Sequence, residues 1–170
     1  GALFSGAPSS PEETFFAALL AHASGGKPAR SFPVPEAHAS AYRDCHLLTA
    51  KPVLYVANVD DAALADGNDY SRALEAFAAR SGAAVVRICG HVEAELAELD
   101  DEEKQEFLQE LGLREPGLDR LIHAAYRLLD LITYFTAGEK EVRAWTIRRG
   151  TLAPESAGEI HSDFVKHFIR

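Results

Sequence analysis

The sequence predicts an α/β fold built on a parallel sheet, and three observations carry that expectation. Val53-Leu54-Tyr55-Val56-Ala57 and Ala84-Val85-Val86-Arg87-Ile88 are near-continuous apolar runs with β-branched and aromatic members, as expected of strands buried on both faces. Between them, residues 70–80 (YSRALEAFAAR) place apolar residues at helical spacing, and Gly82 closes that helix. Strand, helix and strand in succession is the unit that builds parallel sheets with a right-handed crossover. Beyond Leu131 the pattern switches to period-two alternation in Thr133-Tyr134-Phe135-Thr136 and Val142-Arg143-Ala144-Trp145-Thr146-Ile147 around Gly138. This predicts a hairpin and places a domain boundary near residue 131.

The remaining elements follow from local chemistry. Residues 1–10 (GALFSGAPSS) are small and Gly/Pro/Ser-rich, a loose lead-in. Ser10 before Pro11, Glu12 and Glu13 combines a hydroxyl cap, an early proline and acids favoured by the helix dipole. Phe15, Phe16, Leu19 and Leu20 form the apolar stripe of that helix, a packing surface against a neighbour, and Gly25-Gly26 ends it. Pro28, Pro33 and Pro35 are expected to hold residues 27–35 extended, with a short helix over 36–46. Residues 92–111 read as helix in two pieces, with Glu93, Glu95, Glu98, Asp100, Asp101, Glu102 and Glu103 on exposed faces. That acidic density lacks glycine turns and ligand periodicity, so it reads as a solvated face rather than a metal cage. Pro116-Gly117 breaks the chain before an amphipathic helix over 118–130, and a last helix is expected near 155–167, followed by the opening of another strand.

Bulk properties limit the function classes. The chain has 170 residues, 47% hydrophobic and 25% charged, with a formal net charge of -9. It is long enough for one domain or slightly more. A surface so acidic overall disfavours sequence-independent nucleic-acid binding, although Lys140, Arg143, Arg148 and Arg149 gather near the carboxyl end. Cys45 and Cys89 form neither a disulfide framework nor a metal-ligand spacing, which points to a reducing compartment. No apolar run reaches the length of a membrane span, and a cytoplasmic location is expected. The lack of any methionine, and an end at Phe168-Ile169-Arg170 inside an apolar pattern, lead us to expect a piece of a longer protein.

In open α/β sheets ligands bind beyond the carboxyl ends of the strands. Two loops hold that position: Asn58-Val59-Asp60-Asp61 and Cys89-Gly90-His91. An asparagine amide can donate to a purine N7 while accepting from its own loop, and a nearby carboxylate can accept from base N–H groups. A glycine in the neighbouring loop lets backbone approach the base. Taken alone, Asn-x-x-Asp is also ordinary turn chemistry, and both readings stand at this point.

The wider pattern is more specific. Residues 47–61 (LLTAKPVLYVANVDD), 92–99 (VEAELAEL), 112–118 (GLREPGL), 133–149 (TYFTAGEKEVRAWTIRR) and Ala157-Gly158-Glu159-Ile160-His161-Ser162-Asp163-Phe164 resemble the YchF family of Obg-related, translation-factor-class P-loop NTPases. The resemblance extends from roughly Pro28 to Arg170. It implies that residues 1–46 are the returning arm of a helical-hairpin insert with its linker. Residues 47–130 would be the carboxyl-side half of the NTPase (G) domain, and 131–170 the start of a β-grasp TGS domain. It further implies that Asn58, Val59 and Asp61, with Cys89 and Gly90, contact the nucleotide base, and that the family accepts or prefers ATP over GTP. Val59 stands where GTPase relatives carry lysine and leans the site towards adenine. Asp61 stands where family members carry glutamate and is the residue of guanine-specific sites.

Missing motifs bear on activity. No G-x-x-x-x-G-K-[ST] phosphate loop and no D-x-x-G metal motif occurs in the sequence. The resemblance implies a parent that hydrolyses ATP or GTP with magnesium and works with the ribosome or RNA. This chain, lacking the magnesium ligands, is expected to be inactive alone and to bind nucleotide poorly. The competing reading is an RNA-, ribosome- or protein-binding module without catalysis. In that reading Trp145 with Arg143, Arg148 and Arg149 offers stacking and phosphate contact, against plain cross-strand packing of the indole. The histidine pair His161 and His167 lies too far apart around a helix to ligate a metal, and His161 is expected to cap that helix. No serine or cysteine has the surroundings of a nucleophile.

Overall fold

The computed structural model describes residues 10–168, divided into one unit that runs to Pro52 and a second that begins at Val53. The lead-in expected over residues 1–10 therefore lies, but for Ser10, outside the described residues.

In the first unit, helix α1 (Pro11–Ser24) starts as its sequence dictates. Ser10 Oγ accepts from Glu13 N–H at 3.1 Å, and Pro11 occupies a position that needs no donor. Phe15 and Leu19 are buried with Ala29, and Phe16, Phe32, Val34, Tyr42, Leu47 and Ala50 pack around them. Leu20 turns outward and is 57% exposed. The stretch after α1 is not extended throughout, as its prolines suggested. Ala29–Ser31 form a 3-10 turn closed by Ser31 N–H to the Pro28 carbonyl at 3.0 Å. Proline restricts the residue before it, so Ala29, Arg30 and Ser31 remain free to turn, and Thr49 Oγ1 rewards the turn by accepting from Ala29 N–H. The helix expected over 36–46 is a 3-10 turn, Glu36–His38, running into the short α2 (Ala39–Asp44).

The second unit holds the parallel pair. Strand β1 (Leu54–Asn58) lies beside β2 (Ala84–Ile88), with Leu54 opposite Ala84 and Asn58 opposite Ile88. Helix α3 (Asp69–Arg80) joins them, opened by a reciprocal capping box between Asn68 and Ser71. Strand alternation puts Tyr55 and Arg87 on the α3 side: the Tyr55 and Phe77 rings lie 5.9 Å apart, and Arg87 Nε is 3.1 Å from Glu75 Oε1. Ile88, on the other face, meets Gly117 at the start of α6 (Gly117–Leu128). The expectation of strands buried on both faces fails at Val56, which is 42% exposed. Among the described residues this sheet has two strands, so β1 is an edge strand, and α6 lies more over β2, where Val86 is buried, than over β1.

Residues 92–111 do divide, into α4 (Gly90–Glu98) and α5 (Asp101–Glu110), where Asp100 Oδ1 accepts from Glu102 and Glu103 N–H and restarts the helix. Leu64, Cys89, Val92, Leu96 and Leu108 form the core beneath them. Burying a leucine or valine contributes roughly 1.5–3 kcal/mol, so this cluster anchors the loop that ends β2. The expected hairpin is present as β3 (Leu131–Ala137) and β4 (Val142–Arg148), antiparallel, with Tyr134 opposite Trp145. The single helix expected near 155–167 is two, α7 (Ala153–Ile160) and α8 (Ser162–Lys166). His161 is extended between them, and its Nδ1 accepts from Asp163 N–H at 3.2 Å, so the histidine caps α8 as its sequence suggested. The further strand expected at the end falls on residues 169–170, outside the described residues. Among the described residues no helix is long and apolar enough to cross a membrane.

Candidate functional site

Because β1 and β2 run parallel, their following loops emerge side by side at one end of the sheet. Two hydrogen bonds tie the loops together. Val59 N–H donates to the Ile88 carbonyl at 2.8 Å, extending the ladder by one residue. Gly90 N–H donates to Asn58 Oδ1 at 3.1 Å. Gly90 is the first residue of α4, so its amide is one of the donors that a helix leaves unpaired, and Asn58 supplies the acceptor. With Oδ1 so engaged, the Asn58 amide is oriented, and its Nδ2 donors have no partner among the described residues. A Cβ on Gly90 would stand 3.7 Å from Asn58 Oδ1, an ordinary contact. The glycine is therefore not forced by Asn58; it leaves the mouth of the loop open.

The other expected base contacts are placed differently. Cys89 is 4% exposed with its side chain in the apolar core, so only its backbone faces the loop. The Val59 side chain packs on the same core. Asp61 is exposed and opens the 3-10 turn Asp61–Ala63, its Oδ1 accepting from Ala62 N–H at 2.8 Å. Beside the end of β1 lies a cavity of about 320 Å³ lined by Ala57, Asn58, Val59, Asn68, Tyr70, Ser71 and Leu74. Asn58 and Val59 belong to this lining, whereas Asp61, Cys89 and Gly90 do not. The hydrogen-bonded pair Asn58–Gly90 is the better marker of the site, because it joins the two loops that strand topology places together.

The basic cluster near the carboxyl end is divided by strand alternation. Arg143 and Trp145 share a face: the guanidinium carbon lies 4.3 Å from the indole centroid, and Trp145 Nε1 donates to Thr136 Oγ1 at 2.9 Å. Arg148 lies on the opposite face with Thr146, whose hydroxyl is 3.4 Å from that of Tyr126 on α6. Arg149 is drawn to the start of the hairpin, its Nε 3.3 Å from Asp130 Oδ1 and its N–H donating to the Asp130 carbonyl at 2.7 Å.

Glu93 is where the sequence reading needs correction. It was expected on an exposed acidic face, yet it is half-buried, and its carboxylate caps α6. Oε1 accepts from Gly117 N–H at 2.7 Å and Oε2 from Leu118 N–H at 3.0 Å. The signal was present in Pro116-Gly117: that helix start has no capping side chain of its own, so an acceptor must come from elsewhere. Magnesium does not fit these residues. Among the described residues no group of three His, Cys, Asp or Glu side chains is placed to hold a metal ion.

The family model YchF-GTPase_C, a protein of unknown function (DUF933), matches residues 131–170. The Ribosome-binding ATPase YchF of Bacillus subtilis is 54% identical over 146 residues, which make up 85% of this chain and 40% of the relative. That of Escherichia coli O157:H7 is 56% identical over 131 residues, 77% of this chain and 36% of the relative. The chain belongs to the YchF family. The solved structure of the Schizosaccharomyces pombe YchF GTPase superposes with a TM-score of 0.78 at 29% identity, covering 97% of this chain and 47% of that one. The chain thus spans about 40% of the length of the curated YchF relative from Bacillus subtilis.

Proposed function

We propose that this chain supplies the base-reading part of a ribosome-associated ATPase. The observation that carries the reading is the Asn58 Oδ1 to Gly90 N–H bond. It fixes an asparagine amide, with both donors free, at the carboxyl ends of two adjacent parallel strands. Asn58 Nδ2 then donates to a purine ring nitrogen, the Asp61 carboxylate accepts from an N–H of the base, and the Cys89-Gly90 backbone borders the ring. Val59, packed on the core, offers no long side chain to cover a guanine, which supports ATP as the preferred nucleotide and GTP as the weaker one. The relatives' names, Ribosome-binding ATPase YchF, support assigning hydrolysis and ribosome association to the whole protein. Magnesium and the phosphates would be held by residues other than those described, and this chain alone hydrolyses nothing. The hairpin β3–β4 and the helices after it form the start of a TGS domain, with residues 47–130 as half of the NTPase domain and the first 46 as an arm of a helical insert. In that arrangement Trp145 and Arg143 on one face, and Arg148 and Arg149 beyond them, contact ribosomal RNA.

Calorimetric titration with adenosine, ATP and GTP tests the reading. The base carries the recognition here, so ATP gains less than tenfold over adenosine and exceeds GTP. An ATP affinity a hundredfold above that of adenosine places the phosphates on these residues and overturns the proposal.

A further inference from the structure

A second feature, separate from the nucleotide reading, lies along the outer edge of β2. A groove of about 790 Å³ has residues 83–87 as its floor, Glu75 and Ala79 of α3 as one wall, and Arg120, Ala124, Arg127 and Leu128 of α6 as the other. Ile88 gives its carbonyl to Val59, one residue past β1, and in a parallel ladder alternate residues bond to the same neighbour. Val86 and Ala84 therefore also face β1, while Val85 and Arg87 turn their N–H and C=O groups towards the groove. Arg120 confirms this geometry, its guanidinium donating to the Arg87 carbonyl at 3.0 Å. Among the described residues Val85 N–H has no partner outside the sheet.

The charges of the groove do not balance. Glu75 is taken by Arg87 at 3.1 Å, and Glu115 faces His123 at 3.5 Å. Arg120 and Arg127 have no carboxylate partner among the described residues, and Arg120 Nε is buried without a hydrogen bond. A buried donor without a partner is destabilising unless something binds it. An exposed strand edge is likewise a template for another strand.

We propose that the β2 edge is a docking site for an extended peptide segment of a partner protein, carrying an acidic side chain. The segment adds to Val85 and Arg87 as a strand, and its N–H replaces Arg120 at the Arg87 carbonyl. The released guanidinium, with Arg127 beside it, pairs with the carboxylate. Small walls at Ala79 and Ala124 leave room for alternate side chains of the segment.

The test uses fluorescein-labelled ten-residue peptides of alternating Val and Thr with one central Glu, or with Lys in its place, titrated into the whole chain by anisotropy at low and moderate salt. The Glu peptide binds at least tenfold more tightly than the Lys peptide, and Arg120→Gln, with circular dichroism showing it folded at the assay temperature, removes most of that difference. Amide exchange at Val85 slows when the Glu peptide is bound. Equal binding of the two peptides, an unchanged Val85 amide, or full preference for Glu in Arg120→Gln each overturns the proposal. Concentration-dependent dimerisation abolished by Val85→Pro also overturns it, since the edge would then be met by a second copy.

Discussion

Removing the Glu93 carboxylate is the most informative perturbation of the scaffold, because that one side chain ties α4, which carries Gly90, to the start of α6. In Glu93→Ala two amides lose their acceptor. Leu118 is exposed, and its N–H returns to water at little cost. Gly117 is buried, and its N–H stays unpaired, which costs about 1–3 kcal/mol. Loss of a negative charge at a helix N-terminus adds roughly 0.3–1 kcal/mol. The expected loss is about 2 kcal/mol, or roughly 1 M in urea midpoint for an m-value of about 2 kcal/mol/M. Glu93→Gln keeps the oxygen facing Gly117 and loses the charge, so it costs about half as much. Urea unfolding followed by circular dichroism, with amide exchange at Gly117 and Gly90, reads both effects. A Glu93→Ala loss under about 0.5 kcal/mol, with Gly117 exchange unchanged, would refute the idea that α6 is capped from α4.

Other outcomes follow from the same geometry. A Cβ on Gly117 would stand 2.6 Å from Glu93 Oε1 and 3.0 Å from Ile88 Cγ2, so Gly117→Ala lowers stability by about 1–3 kcal/mol in the same urea assay. Hydrogen bonds from Thr146 and Thr133 hold the Tyr126 phenol below its ordinary value of 10.0, whereas burial, aided by the Cys45 thiolate, pushes Tyr42 above it. Alkaline difference absorbance therefore shows Tyr126 ionising before Tyr42, and Thr146→Val moves Tyr126 upward. Since the Tyr42 value is raised on folding, its neutral form stabilises the first unit below pH 10.0, and that contribution is lost as pH rises further. Asp61→Glu changes the reach of the carboxylate by one methylene and alters the ratio of ATP to GTP affinity in the calorimetric assay, leaving the unfolding free energy within about 0.5 kcal/mol of the parent.

The parallel pair, its crossover helix and the hairpin were legible because each has a strong local signature: β-branched apolar runs, helical spacing in 70–80, and alternation around Gly138. The division of 92–111 into two helices falls at Asp100, whose carboxylate accepts from Glu102 and Glu103 N–H, a capping role the sequence reading had not given it. What sequence could not supply was context. The Pro28–Pro35 stretch turns because Thr49, twenty residues away, accepts from Ala29. Val56 is exposed because burial depends on how many strands flank it, which no local pattern encodes. Glu93 looked like one more surface acid, and only the position of α6 makes it a cap. At the site, the strand ends and Asn58 were readable from the rule for open α/β sheets. The partners of Cys89 in the core, Leu96 and Leu108, were not, since they come from α4 and α5, beyond the strand.

The central claim is that Asn58 and Gly90 together read a nucleotide base, and amide chemical-shift mapping tests it on this chain directly. Titration with millimolar ATP is expected to shift the amides of residues 58–61 and 89–91 before any others, and Asn58→Ala is expected to abolish those shifts while leaving the fold intact. Shifts centred elsewhere, or an unchanged response in Asn58→Ala, would contradict the account.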